Sequence, residues 1–333
     1  MNKGSAKGVG ITVFQLMGGF GNQLFQLSAA LYYQEATGNR VKFISRKKNL
    51  YIEGLIEVIF SDHALLDLEG GLKPFLRRTI GVLLRLGTSS GNPLHKLVYR
   101  TLNHFANFLA KYLYGVKSVV MMPQLDSVFI RDSVEDRLVV GYFQSHSTSE
   151  SKEIRRNLKR GLVEPTSTEY TFLKEKMGST ALVVHIRLGD YVGESDFGIL
   201  SPSYYQEALG RIRLDEVKSI WVFSDSPKKA KKRYGHIIEE IAASKEGLVS
   251  NLHWIDKVDD SDYATWYLMN NGSAFVIGNS SYSWWAARLS KCSGEKIVSP
   301  IPWFNSIRSP ADIAPKDWTL MRSDFLDSSM MED

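Results

Sequence analysis

The sequence predicts an α/β fold with two Rossmann-like domains, each built on a parallel sheet. An apolar run at 11–16 is followed by a glycine loop, a helical pattern closed by Gly38 and a second apolar run at 41–44, which together make a βαβ unit. Apolar strand patterns alternate with helical ones through the second half, as in a doubly wound sheet. These strands cover 181–186, 219–223, 252–255, 274–277 and 296–299. Their continuous apolar character is typical of strands buried on both faces.

Composition places the chain among globular proteins. Its 333 residues, 44% hydrophobic and 23% charged, suffice for two domains with their own cores. A single cysteine, Cys292, excludes an intramolecular disulfide and a cysteine metal cage, and it favours a reducing compartment. No stretch has the length and apolarity of a signal peptide or a membrane span, so a cytoplasmic protein is expected.

The polar stretch at 147–170 predicts a helix followed by a linker, so we place the domains at 1–170 and 171–333. The net charge of +5 is concentrated in the first of them. Residues 70–125 hold eight Lys or Arg and no acid, with amphipathic helices predicted at 72–86 and 94–113. This basic helical insertion either covers the core or also contacts an anionic membrane. Too few aromatic residues are interleaved to favour nucleic acid.

Polar residues at the end of the strand at 181–186 predict a ligand site. Open α/β sheets bind ligands at the carboxyl ends of their strands, and here His185, Arg187 and Asp190 stand at that end. The permanently charged fork of Arg187 suits phosphate oxygens. The alternative is an ordinary ion pair between Arg187 and Asp190 at a strand end.

Two later strand ends add to this prediction. Asp225 follows the next strand and is placed to accept hydrogen bonds from a sugar or a base. Asn279, Ser280 and Ser281 open the last helix, where unpaired backbone N–H groups favour anions. Together they predict a phosphorylated ligand held without metal. The Asp260-Ser-Asp262 sequence has a spacing known from metal sites, but an N-cap is the better interpretation because a helical pattern follows directly.

The glycine loop of the first half has two interpretations. Gly18, Gly19 and Gly21 permit positive φ and close approach of a ligand, while the simpler alternative is a bare turn. The spacing is not GxGxxG and no acid ends the second strand, so a dinucleotide site is weakly indicated. A further strand is predicted at 138–146, with a polar end at Gln144 and His146.

Six motifs across the chain resemble the signature blocks of the α-1,2-fucosyltransferases. They are GGFGNQLFQ (18–26), GYFQS (141–145), HIRLGDY (185–191), FSDS (223–226), NSSYSWWAARL (279–289) and VSPIPWF (298–304). The resemblance implies a GT-B-like architecture of two facing Rossmann-like domains. It also implies an inverting, metal-independent transfer of L-fucose from GDP-L-fucose to the 2-hydroxyl of a terminal β-galactoside, with no cofactor.

The resemblance also implies roles for individual residues. Arg187 would bind the β-phosphate, Asp225 the guanine with His185 as a second contact, and the helix start with Asn279, Ser280 and Ser281 the pyrophosphate. The loop with Gly19, Phe20 and Asn22 would close over the donor from the acceptor-side first domain, where Gln144 and His146 are the expected acceptor contacts. A base for the acceptor hydroxyl is required, and Asp190, His146 and Asp196 all stay open.

Animal members of the family are anchored in the Golgi, so a chain without an anchor is expected to be a bacterial cytoplasmic enzyme. It would then act on a lipid-linked glycan, as in O-antigen synthesis, and would be peripheral on the inner membrane if the basic insertion binds lipid. Two other classes are the alternatives: an NAD-type oxidoreductase, which lacks its GxGxxG motif and ribose acid here, and a non-catalytic nucleotide-binding scaffold.

Overall fold

The computed structural model describes residues 10–45, 51–60, 65–67, 73–87, 93–121, 136–192, 194–245 and 247–326. The chain forms two compact units, one of Met1–Leu162 with Pro310–Ile313 and the other of Val163–Ser309 with Ala314–Asp333. The division thus falls between Leu162 and Val163, rather than after residue 170. The return of Pro310–Ile313 to the first unit was not anticipated from the sequence.

The described part of the first unit contains a parallel sheet of five strands. They are β1 (Ile11–Gln15), β2 (Arg40–Ser45), β3 (Leu65–Asp67), β4 (Ser118–Met121) and β5 (Arg137–Val140). Their order is β3-β2-β1-β5-β4. Its helices are α1 (Phe20–Thr37), α2 (Glu53–Ile59), α3 (Lys73–Gly87), α4 (Pro93–Tyr114) and α5 (Lys152–Gly161). Strands β2 and β3 lie on one side of β1, whereas β4 and β5 lie on its other side. The topological switch point of this parallel sheet is therefore between β1 and β5.

The predicted βαβ unit and the two helices of the basic insertion are confirmed. Helix α1 ends at Gly38, whose φ of 71° lets its N–H reach the carbonyl of Gln34. The strand expected at 138–146 is wrong in its second half, since β5 stops at Val140. Phe143 has a φ of 54° with its ring fully buried, and a residue in the left-handed region cannot continue a strand. His146 consequently begins a short 3₁₀ helix, His146–Ser149.

The second unit has a parallel sheet of six strands within the described residues. They are β6 (Ala181–Ile186), β7 (Ser219–Ser224), β8 (Leu252–Ile255), β9 (Ala274–Val276), β10 (Ile297–Ile301) and β11 (Thr319–Arg322). Their order is β11-β10-β9-β6-β7-β8. The helices are α6 (Thr168–Met177), α7 (Pro202–Leu209), α8 (Pro227–Ala243), α9 (Asp262–Asn270) and α10 (Ser281–Leu289). The switch point lies between β6 and β9.

Local signals in the second unit explain where its helices start. Ser261 caps α9 by accepting a hydrogen bond from the Ala264 N–H at 3.2 Å, which confirms an N-cap within the Asp-Ser-Asp sequence. Trp284 and Trp285 are buried, and α10 is thereby fixed against the core. All five predicted strands are present, and β11 was missed. The α/β class and the two Rossmann-like domains with parallel sheets are confirmed.

In the part of the chain that the structure describes, no helix is both long enough and apolar enough to cross a bilayer.

Candidate functional site

Strand register brings Arg187 and Asp225 together. Ile186 pairs with Ser224 at the ends of β6 and β7, so the next residue of each strand emerges at the same edge of the sheet. Arg187 Nη1 lies 2.9 Å from Asp225 Oδ2. Strands β6 and β9 flank the switch point of this sheet, so the pair lies at the place where such sheets bind ligands.

Arg187 is held on three sides. Its Nη2 donates to Asp190 Oδ1 at 2.6 Å, so the ion pair considered from the sequence is present. The guanidinium carbon lies 5.4 Å from the centre of the Tyr191 ring, a cation–π distance. The Arg187 side chain is 27% exposed and that of Asp190 is 71% exposed. Arg187 is therefore oriented in advance while still open to a ligand.

Asp225 organises the loop that follows β6. Its Oδ1 accepts hydrogen bonds from the N–H groups of Leu188 at 3.0 Å and Gly189 at 3.2 Å, while its Oδ2 forms the ion pair with Arg187. A Cβ atom on Gly189 would lie 2.3 Å from Asp225 Oδ2, so a larger residue here would force the Asp225 carboxylate to move. A carboxylate has about four acceptor positions, and three are used. The contact of Asp225 with guanine stays a prediction. The structure adds a second role for Asp225, which is to hold the residues that follow β6.

The start of α10 is tied to the same loop. The Tyr191 hydroxyl donates to the main-chain oxygen of Asn279 at 3.0 Å, and burial raises the pKa of Tyr191 to about 12, which keeps this donor protonated. Asn279 is itself buried and donates to the carbonyls of Phe197 and Gly198, both at 3.1 Å. Both hydrogens of its side-chain amide are thus used within the protein. Its predicted contact with the donor stays untested.

The two serines at the start of α10, Ser280 and Ser281, differ in their hydrogen bonding and exposure. Ser280 is the N-cap and accepts the Tyr282 N–H, so its own hydroxyl hydrogen is left for another partner. Ser281 is the first helical residue and is partly exposed. Because the first N–H groups of a helix lack partners within it, this terminus favours an anion.

His185 is the next-to-last residue of β6. Its ring is buried, and burial together with the neighbouring Arg187 charge lowers its pKa to about 3. Among the described residues, no group hydrogen-bonds its Nδ1. The main-chain oxygen accepts from the Tyr205 hydroxyl at 3.1 Å. His185 is therefore a buried neutral ring, and its contact with guanine stays a prediction.

The first unit joins two predicted residues across its own switch point. Gln144 Nε2 donates to Asn22 Oδ1 at 3.0 Å, which links the loops after β5 and β1. Gly18 has a φ of 73°, and a Cβ there would lie 2.5 Å from Asn22 Nδ2. Gly19 and Gly21 do not use the positive φ that glycine permits, since Gly19 is extended with a φ of −79° and Gly21 lies inside α1.

Phe20 and His146 are also used by the fold. Phe20 opens α1 with only 5% of its surface exposed, so its ring belongs to the core. His146 Nε2 lies 2.9 Å from Glu150 Oε1, and Nδ1 lies 2.9 Å from Asp312 Oδ1. The Ser145 hydroxyl donates to Asp312 Oδ2 at 2.7 Å. With both ring nitrogens engaged, His146 anchors the segment Pro310–Ile313.

Two further carboxylates, Asp196 and Asp262, have partners within the protein. Asp196 is exposed and accepts from the Ser306 hydroxyl at 2.6 Å. Asp262 pairs with Lys257 at 3.2 Å. Among the described residues, no group of three or more His, Cys, Asp or Glu side chains could hold a metal ion.

This geometry can be compared with known proteins. The sequence model of glycosyl transferase family 11 matches residues 150–322, which is more than half of the chain. The chain belongs to glycosyl transferase family 11. The resemblance carried by the six motifs is confirmed at the level of the family, and the matched residues include the Arg187 loop, Asp225 and the start of α10.

Two curated relatives and one solved structure are similar to this chain. An α-1,2-colitosyltransferase of Escherichia coli is 27% identical over 147 residues, which are 42% of this chain and 47% of that protein. The O-antigen biosynthesis glycosyltransferase WbnK of Escherichia coli is 30% identical over 137 residues, 39% of this chain and 40% of that protein. The alignments thus span less than half the length of these curated relatives. The fucosyltransferase NodZ from Bradyrhizobium is 12% identical, with a TM-score of 0.45 over 85% of this chain and 94% of that one.

Sequence reasoning missed Tyr191 and Gly189 as parts of this family 11 site. Tyr191 supports Arg187 and links its loop to Asn279, while Gly189 leaves room for Asp225. Both stand inside the HIRLGDY block, so their place in that block was the available signal. Asn279 and Asp225, which Tyr191 and Gly189 meet, are distant from them in sequence, so the structure is needed to reveal these contacts.

Proposed function

We propose that this family 11 enzyme transfers L-fucose from GDP-L-fucose to the 2-hydroxyl of a terminal β-galactoside, with inversion and without a metal or other cofactor. Its acceptor is a bacterial surface glycan, such as a lipid-linked O-antigen unit, and the reaction takes place in the cytoplasm. The second unit holds the donor and the first unit serves the acceptor. Support comes from the family, from the names of its O-antigen and α-1,2-linking relatives, and from the six motifs.

The observation that carries the proposal is the placement of Arg187. It is oriented by Asp190, Asp225 and Tyr191 at the switch point of the second sheet, and it keeps 27% of its side chain exposed. Tyr191 in turn ties this loop to the residue before the N-cap of α10. A guanidinium and a helix N-terminus so linked can share the charge of one pyrophosphate.

The chemistry follows from that charge. In a single displacement, the bond between fucose C1 and the β-phosphate oxygen breaks and its electron pair leaves with GDP. The acceptor O2 forms the new bond to C1 from the opposite face and loses its proton to a base. Arg187 and the α10 terminus stabilise the charge that builds on GDP, and removing one such contact costs roughly 2.7–4 kcal/mol.

Asp190 is our choice for the base. Both ring nitrogens of His146 already have hydrogen-bond partners, Nε2 the Glu150 carboxylate and Nδ1 the main-chain oxygen of Asp312, and Asp196 accepts a hydrogen bond from Ser306. The side chain of Asp190 is 71% exposed, and only one of its oxygens is paired with Arg187. A change at Asp190 should lower kcat across the pH range more than it raises the KM for the donor.

Recognition of the guanine ring is the role proposed for Asp225. Its carboxylate must then bind both Arg187 and guanine. Guanine offers paired N–H donors that adenine lacks, so GDP should inhibit far better than ADP. Equal inhibition by the two nucleotides would leave Asp225 with its structural role alone.

GDP-colitose is the alternative donor to GDP-L-fucose because one relative is named as a colitosyltransferase. Colitose is L-fucose without the 3-hydroxyl. A site that hydrogen-bonds a hydroxyl rejects an analogue lacking it by a factor of about 10⁴–10⁵, whereas a site shaped for colitose would have to accommodate an extra oxygen. A direct comparison of the two GDP-sugars therefore distinguishes the two candidates.

The test is to incubate the purified chain with GDP-L-fucose or GDP-colitose and a panel of β-galactosides, and to determine the product linkage by NMR. Transfer of fucose in α-1,2 linkage supports the proposal, and a preference for GDP-colitose replaces its donor. Hydride transfer to a nicotinamide cofactor would support the oxidoreductase alternative. GDP binding without turnover on any acceptor would support the scaffold.

A further inference from the structure

Helix α4 has more apolar surface than the core of the first unit uses. Ala106, Leu109 and Ala110 are buried against that core, with Leu102 and Leu113 partly buried beside them. These positions recur at intervals of three and four residues, so they define the inward face of the helix. This face is sufficient to attach α4 to the sheet.

A second set of apolar residues on α4 faces solvent, and we call it the outer stripe. Its members are between 39% and 72% exposed: Leu97, Val98, Phe105, Phe108 and Tyr112. Positions 97, 105, 108 and 112 fall along one side of a helix, away from the inward face. At 1.5 Å per residue, the outer stripe runs for about 22 Å. Single exposed apolar residues need no explanation, but an aligned row with three aromatic rings indicates a surface that is covered.

The outer stripe is bordered by positive charge. Arg100 and Lys111 are exposed and stand eleven residues apart, which is three helical turns, and His104 is exposed between them. Helix α3 adds exposed Phe75 and Val82 together with exposed Arg78. No acid occurs in the sequence from 70 to 125. The two helices therefore combine exposed apolar groups with charge of one sign.

We infer that α4, with the exposed face of α3, binds the surface of an anionic lipid bilayer. Apolar and aromatic side chains enter the headgroup and acyl boundary, and flanking cations meet the lipid phosphates. The absence of acids decides between occupants. A second copy of the chain would bring cations against cations, whereas an anionic membrane complements both the apolar and the charged groups. The inference does not depend on the proposed transferase activity.

Vesicle co-sedimentation of the full chain tests this inference. We expect sedimentation with phosphatidylcholine vesicles that contain phosphatidylglycerol, and not with phosphatidylcholine alone. Binding should weaken as salt rises from low to about 0.15 M. Arg100→Gln with Lys111→Gln should weaken it roughly 30-fold. Phe108→Ser with Tyr112→Ser should weaken it at least about 10-fold, since those rings lose their burial in the bilayer.

Matched controls come from exposed positions of the second unit. Phe172 on α6 is 60% exposed, and Lys228 and Lys229 on α8 are exposed. Phe172→Ser, and Lys228→Gln with Lys229→Gln, should leave vesicle binding unchanged. Circular dichroism and thermal unfolding establish that each variant is folded.

Three results would overturn the inference. The protein could stay in the supernatant with anionic vesicles at low salt, or the control variants could lose as much binding as the α4 variants. Alternatively, light scattering could show a dimer that the Phe108 and Tyr112 substitutions dissociate, and the outer stripe would then be an interface between copies.

Discussion

Replacing Gly189 with alanine tests whether Asp225 sets the position of Arg187. The added methyl group would lie 2.3 Å from Asp225 Oδ2, whereas carbon and oxygen normally approach to about 3.3 Å. The carboxylate must therefore move by about 1 Å. Such a shift breaks its bonds to the N–H groups of Leu188 and Gly189, now 3.0 and 3.2 Å, and lengthens the 2.9 Å pair with Arg187.

The expected cost can be worked out from those contacts. Hydrogen bonds to a charged group contribute about 1.5–3 kcal/mol each, and partial exposure of the site reduces this, so we expect a loss of about 2–4 kcal/mol in the positioning of Arg187. At about 1.4 kcal/mol per tenfold, kcat/KM should fall roughly 30- to 1000-fold. The assay is fucosyl transfer to a soluble β-galactoside, with inhibition by GDP as the measure of donor affinity.

A matched glycine serves as control. Gly54 in α2 is exposed, and a Cβ there meets nothing within 4 Å, so Gly54→Ala should leave activity unchanged. Combining Gly189→Ala with Asp225→Asn should cost much less than the sum of the two changes, since both act on one contact. If Gly189→Ala kept kcat/KM within about threefold of the parent, the positioning role of Asp225 would be wrong.

Four further outcomes are expected. Arg187→Ala should lower kcat/KM by roughly 30- to 1000-fold, and Arg187→Lys should also be poor because it loses the planar fork; near-normal turnover in the alanine variant would remove Arg187 from the mechanism. Activity should persist in excess EDTA, and recovery only on adding manganese would point to carboxylate ligands instead. Gly54→Ala should raise the free energy of unfolding by about 0.5–1 kcal/mol in a urea titration, because alanine is the better helix former. Finally, His185 has a folded pKa of about 3 against an unfolded value near 6.5, so the unfolded chain binds the extra proton. The contribution of neutral His185 to the free energy of unfolding should be fully present above pH 6.5 and should be lost as the pH falls toward 3, by up to about 1.4 kcal/mol per pH unit. In urea titrations at several pH values, His185→Asn should make this dependence on pH less steep.

The sheet of the second unit was predictable because each of its strands is short, apolar and bounded by polar residues. The glycine turn before α1 and the helix itself were also predictable from local sequence, since glycines precede the apolar helical pattern and Gly38 ends it. The end of β5 was not, because Val139, Gly141 and Phe143 read as one apolar run while the backbone of Phe143 is left-handed. Strand β11 is only four residues long, and nothing local separates it from a loop.

The site shows a similar limit. That Arg187 and Asp225 matter could be read from their places at strand ends, but their ion pair depends on the register of β6 against β7. Asn279 is predicted to contact the donor because it opens the last helix within the NSSYSWWAARL block. Its buried amide also holds Phe197 and Gly198, residues more than eighty positions away in the chain, and this role could not be predicted. Long-range partners of this kind leave no signature in a single sequence.

The segment Pro310–Ile313 has a practical consequence for anyone who wishes to exchange modules between relatives. A cut after Leu162 would appear to free the first unit, yet it would remove Asp312, which meets both Ser145 and His146. The truncated piece would keep a buried imidazole stripped of one carboxylate, beside a serine without its acceptor. Hybrid enzymes that combine the first unit of one family member with the second unit of another should therefore carry a segment at 310–313 matched to the first unit. Chimeras joined at a single point should express poorly, and grafting those four residues should rescue them.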